Sequence, residues 1–423
     1  MGGGLLQLVA CGAQDAYLSG NPQITFWKGL FKRHTNFAME SFRVNFTGQP
    51  NWGTKQSAVI GRHADLLYST YVEVVLPRIG TDGQTFSWNN DQQRLGYNLI
   101  KYAELEIGGQ QIDRLYGEWM FLWDNLTFSY DKWLLAYRMV GAESGGGAIV
   151  LPEPTQCNDG NGRPTLPTVL YIPLNFFYTR NPGAALPLIA LQYHEVKINI
   201  LWNDNQHIAG DFTRASKAPP ATQAAIYIDY IYLDTEERRR MAQESHEYLI
   251  EQTQYNEDKG ISSYNNRIDL TFNHPVKELV WVVQPTWYNN CSLAAARSQT
   301  RLQTFTYNNS AVYKQSLQIN GQDRLDARYG DYFNKVQPFQ HHSGDSNHQN
   351  GIYMYSFALK PEEHQPSGTC NFSRIDTATL VMEMSGAVTV DESTDNTWDV
   401  RVYALNYNIL RIMSGMAGLA YSN

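Results

Sequence analysis

Charge is scarce in this 423-residue chain and cysteine scarcer: Asp, Glu, Lys and Arg make up 17%, and only four cysteines occur, at positions 11, 157, 291 and 370. Their spacing is neither that of metal ligands nor that of a redox motif, which argues against a zinc site or a disulfide framework. A basic surplus is also missing. The net charge is −8, whereas a general nucleic-acid binder needs a cationic surface to neutralise phosphates, so no direct nucleic-acid contact is expected. Long apolar runs are absent too. Leu5 to Cys11 is too short for a membrane span and has no basic flank of the signal-peptide kind. Leu6 stands where a myristoylation signal starting at Gly2 requires Ser or Thr. The chain reads as cytosolic.

Catalytic patterns are lacking in the same way. Gly145-Gly-Gly147 is not followed by Lys-Ser or Lys-Thr, so it is no phosphate-binding loop. Neither a Gly-x-Ser-x-Gly elbow nor a His-Glu-x-x-His pair occurs. His341, His342 and His348 share a polar stretch without ligand spacing. Glu104 and Glu106 lie on one face of a strand, a pattern that ordinary surface strands share with glycosidase dyads. No enzyme activity, cofactor or metal is expected.

What the chain does have is aromatics, 13% of its residues, and an internal repeat. Aromatic-rich, charge-poor sequence favours well-packed strands. Glu104-Leu-Glu-Ile-Gly-Gly-Gln110 recurs as Ser316-Leu-Gln-Ile-Asn-Gly-Gln322, each a strand running into a tight hairpin. Tyr116-Gly-Glu-Trp119 recurs as Tyr329-Gly-Asp-Tyr332, and Val72-Glu-Val-Val-Leu-Pro77 as Val280-Trp-Val-Val-Gln-Pro285. The offsets are 212, 213 and 208 residues, half the chain. Tyr171-Ile-Pro-Leu-Asn-Phe-Phe177 matches Tyr353-Met-Tyr-Ser-Phe-Ala-Leu359 at 182, so about 30 extra residues precede it in the first half, a loop-sized insertion. Gly141 to Arg163, rich in glycine and proline, is that insertion. Two domains of about 200 residues also fit the size expected of single cores.

Alternation such as Val196, Ile198 and Ile200 against Glu195, Lys197 and Asn199 marks strands. With the hairpin returns, each half has about eight, the number in a jelly roll built as a two-sheet sandwich. Between the halves, Asp234 to Gln252 begins as a short charged helix capped by Asp234 with Glu237 at its third position. It becomes a strand from His246. The expected division is 1–233 for an N-terminal arm and first jelly roll, 234–245 for the connector helix, and 246–423 for the second jelly roll and tail. Arg238-Arg-Arg240 reads as a solvated helix face. Gly2 to Gly20 reads as an extended arm, Thr25 to His34 as an amphipathic helix, and Asn334 to Asn350 as a polar loop. Ile409 to Leu419 is an apolar tail that needs covering, by docking within the chain or between chains. Five Asn-x-Ser/Thr sequences, at Asn45, Asn125, Asn290, Asn308 and Asn371, are candidate glycosylation sites.

Six separated segments then carry a resemblance. They are Gly12-Ala-Gln-Asp-Ala-Tyr-Leu-Ser-Gly-Asn-Pro-Gln-Ile-Thr-Phe26, Ala185 to Lys197, Tyr332-Phe-Asn-Lys-Val-Gln-Pro338, Phe357-Ala-Leu-Lys-Pro361, Pro366 to Asp376, and Asn408-Ile-Leu-Arg-Ile-Met-Ser-Gly-Met416. In this order they resemble the major capsid proteins of nucleocytoplasmic large DNA viruses, most nearly the algal-virus type. The resemblance implies an all-β double jelly roll and a structural role. It further implies homotrimeric, pseudo-hexagonal capsomers that contact neighbouring capsomers and minor capsid proteins in an icosahedral shell over an internal membrane, within virions assembled in the host cytoplasm. It also implies glycans on some outer-loop asparagines, though Gly141 to Arg163 and Asn203 to Ala221 are where this chain looks least like its relatives. A carbohydrate-binding or carbohydrate-active β-sandwich is the alternative.

Overall fold

The computed structural model describes residues 2–27, 29, 31–76, 95–141, 168–208, 221, 223–286, 312–344, 351–384 and 397–421. Contacts divide the chain into two units, Met1–Phe37 and Ala38–Asn423. In the first, Gly3–Val9 and Ala16–Ser19 are helical and bury no residue. The extended arm expected there is thus partly coiled into short helices. The helix expected over Thr25 to His34 is absent among the described residues, and Phe26, Trp27 and Phe31 are exposed. Isolated helices this short draw their stability from a packed apolar face, and these side chains have no such packing.

The rest of the chain is built from strands. The first half contains β1 (Phe37–Asn45), β2 (Lys55–Ile60), β3 (Leu66–Leu76), β4 (Ile100–Ile107), β5 (Gln110–Tyr116), β6 (Thr168–Pro173), β7 (Leu186–Pro187), β8 (Val196–Trp202) and β9 (Gln223–Leu233). The second contains β10 (His246–Ile261), β11 (Asn265–Asp269), β12 (Pro275–Pro285), β13 (Val312–Ile319), β14 (Gln322–Asp323), β15 (Arg328–Tyr329), β16 (Ile352–Ser356), β17 (Cys370–Asn371), β18 (Ala378–Met384), β19 (Trp398–Met413) and β20 (Met416–Leu419). The sheets run β1-β9-β3-β6 and β2-β8-β4-β5 in the first half, and β10-β19-β12-β16 and β11-β18-β13-β14 in the second. Place for place these two sets of eight strands match, with the short β7, β15, β17 and β20 pairing beside them, and each half is a jelly roll. The fold is a double jelly roll.

Local chemistry explains the elements. In β8, Val196, Ile198 and Ile200 are buried against a sheet partner that supplies Ala103 and Leu105. The β4–β5 hairpin turns on Gly108 and Gly109, both at positive φ, and its counterpart β13–β14 turns on Asn320 and Gly321, also both positive. Two left-handed residues in succession are what a two-residue hairpin of the right twist requires. Thr235–Gln243 is helical, and Asp234 caps it by accepting from the Thr235 N–H. Arg238 pairs with the buried Asp65 at 2.9 Å, so the basic run is not wholly a solvated face.

The repeat identifies the right strands, but two of its alignments are out of phase by one residue. Val72 is interior in the first sandwich, opposite Ile172 and Ile226. In the second, the interior residue of the matching strand is Trp281, opposite Tyr353 and Val402. Val280, aligned with Val72 by sequence, faces out of its own sandwich and joins the core of the first. A one-residue slip exchanges the faces of a strand.

Candidate functional site

The groups whose chemistry the fold concentrates lie along the seam between the sandwiches. The outward face of β10-β19-β12-β16 packs on the end of β5 and the helix Gly117–Thr127 that follows it. Gly117 starts that helix because a Cβ there would lie 2.2 Å from the Ile100 carbonyl oxygen and 2.3 Å from that of Tyr97. With Gly117 seated so closely, Tyr116 lies against Tyr255 at 4.6 Å between ring centroids and Trp119 against Tyr403 at 5.5 Å. Glu118 accepts from Arg401 Nε at 2.6 Å and Nη2 at 2.8 Å, and from the Tyr403 hydroxyl at 2.7 Å. Arg401 also donates to Gln284 Oε1. Burial draws the Arg401 pKa down, but the Glu118 carboxylate outweighs it and the guanidinium is held charged. Two-point geometry of this kind makes the strongest ion pairs.

A second cluster centres on Glu251 of β10. It binds Lys277 Nζ at 2.6 Å and Arg180 of the first half at 2.7 Å, and the Arg180 guanidinium lies over Trp123. Lys277 is wholly buried, a position a lysine holds only with its charge compensated. Beside it, the Thr253 N–H donates to Asp113 Oδ1 at 3.0 Å and the Gln252 amide to the Ile112 carbonyl. Burial pushes the Asp113 carboxyl up to about 6.

A third cluster surrounds His342. The ring bonds Glu278 at 2.8 Å through Nε2 and Glu362 at 2.9 Å through Nδ1. Burial pulls its pKa down, yet the Glu278 and Glu362 carboxylates outweigh burial and push it up to about 9. The next two residues tie this cluster across the seam: Ser343 Oγ donates to the Thr127 carbonyl and the Gly344 N–H to the Leu126 carbonyl. His342 stands at the start of a loop, as expected, but its ring is buried rather than solvated. Tyr332–Val336 and Gln337–His341 are helical, and this helical segment delivers the ring to the seam. His341 contacts the Leu359 carbonyl, and His348 lies outside the described residues.

The apolar tail closes the seam. β20 folds back on β19, Leu410 and Ile412 are buried, and the turn reaches the first sandwich through Tyr193 N–H to the Gly415 carbonyl and Ala417 N–H to His194 Nδ1. Leu410, Ile412 and Ala417 of the tail are thus covered within the chain, while Met413 and Met416 stay exposed.

The candidate sites from sequence scatter. Asn45 ends β1 and is exposed. Asn371 is exposed, and its Oδ1 accepts from the Ser373 N–H. Asn125 is buried in the Gly117–Thr127 helix: its Nδ2 donates to the Phe121 carbonyl and its Oδ1 accepts from Trp133 and Tyr137. The folded chain presents no amide nitrogen there for modification, and that candidate is withdrawn. Asn290 and Asn308, like most of Gly141 to Arg163, lie outside the described residues. Glu104 is engaged by Lys55 and Arg114, and Glu106 by Asn199, so the pair serves sheet pairing. Among the described residues no group of His, Cys, Asp and Glu could hold a metal ion, and no helix is long and apolar enough to cross a membrane. Sequence reasoning missed Glu118, Arg401, Glu251 and Lys277. Their signal was present in the charges of Lys277-Glu278 and Arg401 inside apolar strand runs.

Comparison with known proteins gives this architecture its setting. Residues 25–234 match the family described as major capsid protein N-terminus, and residues 237–418 the large eukaryotic DNA virus major capsid protein. The major capsid protein of Pyramimonas orientalis virus is 46% identical and that of Phaeocystis pouchetii virus 43%, each over all of both chains. A chain of the PBCV-1 virus capsid superposes with a TM-score of 0.77 at 36% identity, covering 94% of this chain and 100% of that one. The Faustovirus major capsid protein shares the fold at 14% identity, with a TM-score of 0.69. These relatives are structural capsid proteins rather than enzymes, which sets the carbohydrate-active alternative aside. The chain belongs to the major capsid proteins of large eukaryotic DNA viruses.

Proposed function

We propose that this chain works as a homotrimer whose three copies form a pseudo-hexagonal capsomer of the viral shell. The observation that carries this reading is the identical strand order of the two sandwiches within one ion-paired unit. Three copies then offer six similar bodies, and a threefold object fills a sixfold lattice position. In this reading 1–233, 234–245 and 246–423 are arm with first sandwich, connector, and second sandwich with tail. The uncovered apolar side chains of the arm, such as Leu8 and Trp27, suit contact with minor capsid proteins or the internal membrane, and assembly takes place in the host cytoplasm. Asn45 and Asn371 stay as candidate glycan carriers, with Asn290 and Asn308. Sedimentation at micromolar and nanomolar concentration tests the trimer: the expected species has three times the 48.2 kDa chain mass and persists in moderate salt. A single-chain species at every concentration and salt would overturn it.

A further inference from the structure

We infer that a cavity in the seam binds a small organic anion, a carboxylate or phosphate on a flat frame, and that the bound anion bridges the two sandwiches. The cavity has a volume of about 570 Å³, within the range of small-molecule sites. It takes one wall from each half: Lys101, Tyr116 and Glu118 belong to the first, and Tyr255, Gln284 and Arg401 to the second. Lys101 and Lys259 on its lining are exposed, so it opens to solvent.

The carboxylates of the lining are all engaged. Glu118 accepts from Arg401 and from the Tyr403 hydroxyl, Glu257 pairs with Lys259 at 3.3 Å, and Asp204 Oδ1 lies 2.6 Å from His207 Nδ1. Several donors, by contrast, are left over. Arg401 can only donate, so Gln284 must turn its Oε1 toward Nη2, and this directs Nε2 the other way. That Nε2 is buried and has no hydrogen-bond partner among the described residues, whereas buried amides are ordinarily satisfied. The bonds of Arg401 use Nε and Nη2, which leaves Nη1 over. Lys101 has no partner among the described residues either. Spare donors, two of them on cations, call for an anionic acceptor, and a cationic ligand would meet no free carboxylate. Tyr116 and Tyr255, with ring centroids 4.6 Å apart, add aromatic surface for a flat frame to lie against. Because Lys101 comes from one sandwich and Gln284 and Arg401 from the other, an anion between them ties the two together, and its binding stabilises the closed seam by linkage.

The test titrates the full chain with benzoate, phenyl phosphate and uncharged benzamide, by calorimetry and thermal melts in low salt, where an exposed lysine is least screened. Saturable binding of at least one anion is expected, with a raised melting midpoint, and benzamide should produce neither. Binding of phenyl phosphate alone assigns a phosphate ligand, binding of benzoate alone a carboxylate, and binding of both the chemistry they share. Lys101→Met removes a charge, and Gln284→Glu repels an anion while keeping an oxygen toward Arg401, so each should weaken binding about tenfold or more. Lys335→Met, outside the lining, should bind as the wild type does. If Gln284→Glu fails to fold, the exposed Lys101→Met decides alone. No saturable binding of either anion up to about 10 mM, equal binding of benzamide, or affinities unmoved by the substitutions at Lys101 and Gln284 would overturn the inference and leave the trimer reading untouched.

Discussion

The sheets β1-β9-β3-β6 and β10-β19-β12-β16 have one strand order but different surroundings, and their sequences record the difference. In β3, buried Val72, Val74 and Leu76 alternate with half-buried Tyr71, Glu73 and Val75. In β12 the described side chains from Val276 to Gln284 are nearly all buried, because the first sandwich covers the face that β3 leaves open. A sheet wet on one side shows a period of two, and a sheet covered on both loses it. The covered sheet is also more polar than an ordinary core, since its buried Arg401, Lys277 and Glu251 each find a partner. A face that is covered within the chain can thus carry charge pairs fixed in advance, and the open face bears stacked tyrosines instead.

Breaking the covered side should cost most. Glu118→Gln leaves Arg401 buried with half its partners and should lower stability to urea by about 3–5 kcal/mol. The same change at its exposed counterpart, Asp331→Asn, should cost under about 1 kcal/mol in the isolated chain. Equal effects at the two positions would mean that the sandwiches are not held as unlike as the geometry indicates. Next comes Gly117→Ala, whose new methyl group meets two backbone carbonyls. Forced overpacking of this kind typically costs about 1–3 kcal/mol, visible as a lower midpoint in the same titration.

A pH-dependent effect belongs to His342. Its folded pKa of about 9 lies above its ordinary value of 6.5, so the folded form binds the extra proton between the two. The stabilisation is complete below about pH 6.5 and is lost as pH rises through 9, with a slope of roughly 1.4 kcal/mol per pH unit in that window. Thermal melts between pH 6 and 10 should fall for the wild type and stay flatter for His342→Gln. Smallest of all, Tyr227→Ala on the open face should change the monomer's stability by less than about 1 kcal/mol, and a melt of the dissociated chain would reveal any larger role in folding.

How far the sequence discloses this architecture depends on whether the information is local. Alternation in β8 and the paired Gly108-Gly109 and Asn320-Gly321 turns are written in adjacent residues, and the strands and hairpins follow from them. The repeat finds the equivalent strands yet misaligns two by one residue, because β12 and β16 are buried on both faces and have no alternation to fix their phase. Amphipathic spacing predicts a helix over Thr25 to His34, but spacing supplies no surface for that face to bury. His342 reads as loop because its neighbours are polar, and the carboxylates that hold it are brought by β12 and by residue 362. Glu118 and Arg401 meet across 283 residues, a distance at which no spacing rule operates.

The placement of β19 also sets an order of events during synthesis. This strand pairs with β10 on one side and β12 on the other, and it supplies Arg401 and Tyr403 to the seam. The first sandwich has all its strands once residue 233 has emerged, so its Glu118 surface stands finished and uncovered while the next 165 residues, up to Trp398, are still being made. Throughout that interval the nascent chain presents the same kind of aromatic edge that Tyr329 to Phe339 presents in the folded chain. Arrival of β19 covers the Glu118 edge from within, while the Tyr329 to Phe339 edge stays exposed when the seam is shut.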